Sequence, residues 1–107
     1  MAIDCVTVWT TIGVGTDGQH LARTLVAERL AACVNLMGEM ESVYRWQGRV
    51  ETGRERQVVI KTTMQRLPAL QARVQQLHEY ELPEFIVMPI VGGSDAYLEW
   101  VRASTAG

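Results

Sequence analysis

The sequence predicts an α+β fold, a ferredoxin-like split βαβ sandwich with an extra C-terminal helix. Three observations lead there. Two amphipathic segments at helical spacing each follow a strand-like run, a Gln47-Gly48 turn joins two extended stretches, and a third amphipathic segment follows Gly92-Gly93. The resulting order is strand, helix, strand, strand, helix, strand, helix. At 107 residues the chain is expected to be a single domain spanning 1–107, because two separate cores would each be too small to bury the apolar surface that folding requires.

Ile3 to Ile12 is rich in β-branched and aromatic residues, including Val6, Val8 and Trp9, and runs into glycines, which predicts a buried central strand. Asp17 is placed to cap a helix in which Leu21, Leu25, Val26 and Leu30 recur at helical spacing, and this helix is expected to reach about Ala32. Cys33 to Met37 opens the second strand, Gly38 marks a bulge or bend, and Ser42 to Trp46 resumes the strand. Gln47-Gly48 suits a two-residue hairpin turn, with a return strand from Arg49 to Thr63. The charged middle of that return, Glu51 to Arg56 with Gly53 inside it, leaves open a loop-out before Val58, Val59 and Ile60 rejoin the core. Pro68 fits a first helical turn, and Leu67, Leu70, Val74 and Leu77 form one stripe ending beside His78. Pro83 stops further helix, and Phe85 to Val91 reads as a last buried strand. Ser94 or Asp95 then caps a helix with Leu98 and Val101 inward, and Ala103 to Gly107 is expected to fray.

Two helices cover one sheet face, so the other face and the long hairpin with Tyr44 and Trp46 are expected to lack a cover within the monomer. Packing of further copies would supply it. A 48% share of hydrophobic residues against 21% charged excludes a disordered chain and agrees with a subunit interface. Net charge −2 without a Lys/Arg block argues for no nucleic acid and no membrane surface as partner. No stretch approaches the roughly 20 apolar residues of a spanning helix, and no leader-like start is present, so a cytoplasmic location is expected. Cys5 and Cys33, far apart and outside any Cys-x-x-Cys spacing, read as reduced thiols.

Gly13 to Gly18 satisfies G-x-G-x-x-G, but a dinucleotide fold needs further parallel βα units, so a flexible turn is the simpler reading. Cys33 stands at a helix–strand junction, where small-residue packing competes with ligand duty. His78 is a helix-end residue with Glu79, Glu81 and Glu84 close behind it, held by Pro83. Imidazole with carboxylates is a borderline-soft site for a divalent metal, and solvated surface carboxylates are the alternative. No nucleophile, base and orienting group can be assembled, so no enzyme is expected. Trp46, Tyr80 and Trp100 suit interface anchors or an aromatic ligand patch.

Five ordered blocks carry a family resemblance: Glu28-Arg29-Leu30-Ala31-Ala32-Cys33-Val34-Asn35, Ser42-Val43-Tyr44-Arg45-Trp46-Gln47-Gly48, Ile60-Lys61-Thr62-Thr63, His78-Glu79-Tyr80-Glu81-Leu82-Pro83-Glu84 and Tyr97-Leu98-Glu99-Trp100. Together they resemble the divalent-cation tolerance proteins of the CutA family. The resemblance implies a ferredoxin-like subunit in a cytoplasmic homotrimer, tolerance of copper and other divalent cations, and kinship with trimeric PII-type signalling proteins. Family metal binding attributed to cysteine, histidine and nearby polar groups carries over onto Cys33 and His78, with Glu81 third. The chain departs from the family pattern at Glu79, where proline is common, and at Leu77 and Trp9-Thr10, where some members have histidine and cysteine. Fewer soft ligands imply weaker or altered metal selectivity. The expected function is therefore non-enzymatic binding of a divalent metal ion such as copper. The alternative is a PII-like module that takes a small anion in an intersubunit cleft, using the Gly13 to Gly18 loop or Arg45 and Lys61.

Overall fold

A computed structural model describes residues 3–107. The elements are β1 (Cys5–Gly13), α1 (Gly18–Ala27), β2 (Cys33–Trp46), β3 (Arg49–Thr63), α2 (Leu67–Leu77), β4 (Ile86–Pro89) and α3 (Asp95–Thr105). They form one sheet of order β2-β3-β1-β4 in which every neighbouring pair is antiparallel. β1 and β2 run the same way with β3 between them, which is the split βαβ arrangement that the element order predicts.

Alternation along β1 sorts the core. Val6, Val8 and Ile12 pack with Val58 and Ile60 of β3 under Leu21 and Leu25 of α1 and Leu70 and Val74 of α2. On the opposite face Cys5 and Ala32 pack with Leu98 and Val101, so α3 covers one end of the face expected to be bare. Apolar residues at period two on the strands and at three or four on the helices converge here, and their burial is the main force holding the layers together.

Helix α1 ends earlier than its stripe suggests. Arg29 takes φ +61, the Leu30 N–H donates to the Leu25 carbonyl at 3.0 Å and the Arg29 N–H to that of Val26 at 3.0 Å. This is a Schellman motif with arginine in the left-handed position usually held by glycine, so the stop carried no sequence signal. Leu30 stays buried beyond the helix, its carbonyl accepting from the Thr62 hydroxyl at 2.7 Å. Its apolar spacing therefore reported burial and not helix.

The β2–β3 hairpin turns at Gln47 (φ 50) and Gly48 (φ 80), two left-handed residues as a type I′ turn requires. A bulge falls between Leu36 and Glu39, bracketing Gly38. The loop-out left open at Glu51 to Arg56 does not occur, since every residue from Arg49 to Arg56 has a partner in β2. Opposite charges face each other there, Glu39 across from Arg56 and Glu41 from Arg54, and the Tyr44 ring lies over Gly53, covering the position that lacks a side chain.

Two further expectations are corrected. The last strand is only Ile86–Pro89 and is exposed, with Ile86 at 52% and Met88 at 49%, because β4 is an edge strand pairing only with Val6 to Trp9. The C-terminal residues do not fray after Ala103. α3 runs to buried Thr105, and Arg66 donates to the carbonyls of Thr105 at 2.6 Å and Gly107 at 2.7 Å. Ser94 is the cap, its hydroxyl accepting from the Tyr97 N–H at 3.2 Å.

Replacing Arg29 with glycine should raise stability by about 0.5–1 kcal/mol, since glycine occupies the left-handed region without steric conflict. Urea midpoints check this, and an unchanged or lowered midpoint would show that Arg29 is not strained.

Candidate functional site

The stretch after α2 is organised by His78. Its N–H closes the helix on the Val74 carbonyl at 2.8 Å, and its backbone then turns extended. The ring is pinned at both nitrogens. Nδ1 accepts from the Tyr80 N–H at 3.0 Å, which places the ring proton on Nε2, 2.6 Å from the Thr11 carbonyl. His78 thus ties the α2–β4 connection to β1, and its ring stands 4.7 Å from that of Tyr80.

Tyr80 reaches across to β3, where its hydroxyl donates to Glu55 at 3.0 Å. Burial, and then this bond to a carboxylate, push the phenol up to about 12. Further along, the Glu84 carboxylate accepts from Gln57 Nε2 at 3.0 Å, and the same amide donates to the Thr10 carbonyl at 2.8 Å. Between this connection and the projecting part of the hairpin lies a cleft of about 570 Å³. Tyr44, Trp46 and Tyr80 give it aromatic walls, Glu55, Glu81 and Glu84 give it carboxylates, and among the described residues Arg54 is its one cationic lining residue.

The residues singled out from sequence are not brought together within one protomer. Cys33 pairs with Lys61, which pairs with Thr7, whereas His78 bonds the Thr11 carbonyl four residues further along β1. That offset is roughly 13 Å at the rise of a strand, far beyond the ~2 Å bonds of a shared metal ion. Among the described residues no group of three or more His, Cys, Asp or Glu side chains is arranged to hold a metal ion. Glu81 is exposed at the cleft, its backbone carbonyl accepting from Gln75 at 3.4 Å. Both cysteines are free thiols. Cys5 is buried, which pushes its thiol up, and Cys33 is partly exposed.

The Gly13 to Gly18 loop is a turn. The Thr16 N–H bonds the Gly13 carbonyl at 3.0 Å, Asp17 caps α1 through the His20 N–H at 3.0 Å, and the Thr16 hydroxyl donates to the Glu79 carboxylate. A Cβ on Gly13 would meet Glu79 Oε1 at 2.9 Å, so glycine there admits the carboxylate. Of the three aromatics read as interface anchors or a ligand patch, Trp46 and Tyr80 share the cleft, while Trp100 packs at a tilt beside Tyr97 on α3 at 5.4 Å between ring centroids. Sequence reasoning missed Tyr44 and Glu55 as site residues. Tyr44 was detectable, because it lies two residues from Trp46 and so shares its face of the strand. Glu55 was not, because its place depends on the register that sets it opposite Gly13.

Fold and cleft define a class of protein: a ferredoxin-like fold with an overhanging hairpin and an acidic, aromatic-walled cleft beside it. The family model described as CutA1 divalent ion tolerance protein matches residues 6–104. The chain belongs to that family. It is 44% identical over 103 residues to the chloroplastic protein CutA of Arabidopsis thaliana, covering 96% of this chain and 57% of that one. The divalent-cation tolerance protein CutA of Thermus thermophilus is 46% identical over 85 residues, 79% of this chain and 82% of its own. A solved structure of the divalent cation tolerance protein from Thermus thermophilus superposes with a TM-score of 0.92 at 40% identity, covering 95% of this chain and 99% of that one. The chain spans 57–58% of the length of its plant relatives from Arabidopsis thaliana and Oryza sativa. No helix among the described residues is long and apolar enough to cross a membrane.

The raised pKa of Tyr80 fixes a pH window. The fold holds the neutral phenol more tightly than the unfolded chain does, so this contribution is full below about pH 10 and is lost as pH rises through about 12. Tyr80→Phe should lose less stability than the parent between those pH values in urea unfolding. Parallel losses would show that the fold does not raise the pKa of the Tyr80 phenol.

Proposed function

We propose that this chain is the subunit of a non-enzymatic, cytoplasmic homotrimer that confers tolerance of divalent cations by binding them, copper foremost. His78 is the central ligand, with Cys33 or Glu81 of a neighbouring copy completing the site at a subunit boundary. The observation that carries this reading is the family match over residues 6–104, whose description is divalent ion tolerance. The separation of Cys33 from His78 within one protomer supports a site shared between copies, because only a neighbour can bring a thiol to that imidazole. Imidazole and thiolate favour copper over harder ions. Binding at Nδ1 requires the Tyr80 N–H to give up its acceptor, which makes the α2–β4 connection the part that would respond to the metal.

Assembly has its own support in the uncovered hairpin. Val43, Tyr44, Trp46 and Val50 are all exposed there, and Ile86 to Met88 are exposed on edge strand β4. Unpaired edges and apolar side chains of this kind invite a second copy. The rival reading, a PII-like module for a small anion, draws less support. The Gly13 to Gly18 loop already holds the Glu79 carboxylate, which repels an anion, and the Lys61 ammonium is engaged over the Tyr97 ring, 5.8 Å from its centroid.

Native mass spectrometry should give three times the chain mass, and copper titration should show at least ~10-fold weaker binding for His78→Ala than for the parent. A monomer mass removes the shared site, and equal copper affinity in the two proteins removes His78 from it.

A further inference from the structure

We infer, resting on the metal reading of His78, that Glu79 is a latch that holds the His78 ring closed and so sets how readily that imidazole is released to a divalent cation. Glu79 is a positioning residue in this role and ligates nothing. The ring is fully engaged: Nδ1 accepts from the Tyr80 N–H at 3.0 Å, and Nε2 stands 2.6 Å from the Thr11 carbonyl. A cation at Nδ1 needs the peptide between Glu79 and Tyr80 to turn its N–H away. That peptide is tethered on both sides. The Glu79 carboxylate accepts from the Thr16 hydroxyl in the turn after β1, and the Tyr80 hydroxyl donates to Glu55 of β3 at 3.0 Å.

The turn is shaped to receive Glu79. Gly13 lacks the Cβ that would stand 2.9 Å from Glu79 Oε1, and the turn is itself fixed, by the Thr16 N–H on the Gly13 carbonyl at 3.0 Å and by Asp17 capping α1. Of the two tethers Glu79 is the one that opens first. It is exposed and held by one hydrogen bond, whereas Tyr80 is partly buried with its ring 4.7 Å from that of His78. A site whose open form is a minor population binds more weakly by that fraction, so removing the latch tightens cation binding. A carboxylate that ligated or attracted the cation would do the opposite when removed.

Amide exchange at Tyr80 and copper titration, both on the assembled protein, test the latch in Glu79→Ala, Gly13→Ala and Glu79→Gln. Glu79→Ala removes the acceptor, and Gly13→Ala displaces the carboxylate with its new Cβ while leaving the α2–β4 connection untouched. Both are expected to speed Tyr80 exchange about 3- to 10-fold, the weight of one hydrogen bond, and to tighten copper binding by a similar factor. Glu79→Gln keeps an oxygen for the Thr16 hydroxyl, so its Tyr80 exchange should match the parent. Unchanged exchange in Glu79→Ala would overturn the latch. So would faster exchange with unchanged copper affinity in a protein whose copper site needs His78, and so would copper binding weakened in Glu79→Ala and Glu79→Gln alike, which would make the carboxylate a ligand. Equal copper affinity in the parent and His78→Ala removes the metal reading alone, and Tyr80 exchange then decides whether Glu79 holds the ring.

Discussion

The structure depends on where β1 stops. Its last paired residue, Gly13, lies opposite Glu55, while β2 and β3 continue together from Glu41 to Arg54 with no third strand beside them among the described residues. The hairpin therefore leaves the sheet as a two-stranded ribbon, and the described chain measures 46 Å along its longest axis against 26 and 24 Å across. Such a ribbon is marginal in water by itself. Its exposed Arg54–Glu39 ion pair at 2.9 Å adds little, since surface pairs contribute about 0–1 kcal/mol. The cleft and the apolar surface offered to a neighbour both follow from this overhang.

The end of β1 also explains why His78 stands where it does. α2 delivers the chain to the last residues of β1, and the imidazole spans the gap by engaging the Thr11 carbonyl and the Tyr80 N–H together. Tyr80 and Glu84 then reach β3 through Glu55 and Gln57, so one short connection is tied to two strands by side chains. Glu79 takes the position at the Gly13 turn. The His78 to Glu84 stretch is first a structural clasp. Any metal chemistry in it has to work against bonds already made.

Most of the fold was legible because apolar period and turn chemistry agree along the chain, as at Leu70 and Val74 in α2 and at Gln47-Gly48. What was hidden depended on tertiary partners. Arg29 ends α1 in a conformation that glycine would have announced, and Leu30 imitates a helical position because Thr62 holds it in the core. The paired charged stretch of β3 was illegible until Glu39 and Glu41 were placed opposite Arg56 and Arg54. The cleft was half legible. Its aromatic and acidic residues were noticeable as types, whereas their convergence rests on strand register, and the metal-ligand role that the family resemblance implied for Cys33 and His78 is not met within one protomer, because the register sets them at different levels of the sheet.

If the overhang governs the molecule, the Glu41 to Arg54 ribbon is held by another copy of the chain. Amide hydrogen exchange, followed residue by residue as the assembly is diluted, tests this most directly. Ribbon amides are expected to lose protection as copies separate while Val6 to Thr10 of β1 stay protected. Ribbon amides as well protected in the isolated chain as in the assembly would contradict it.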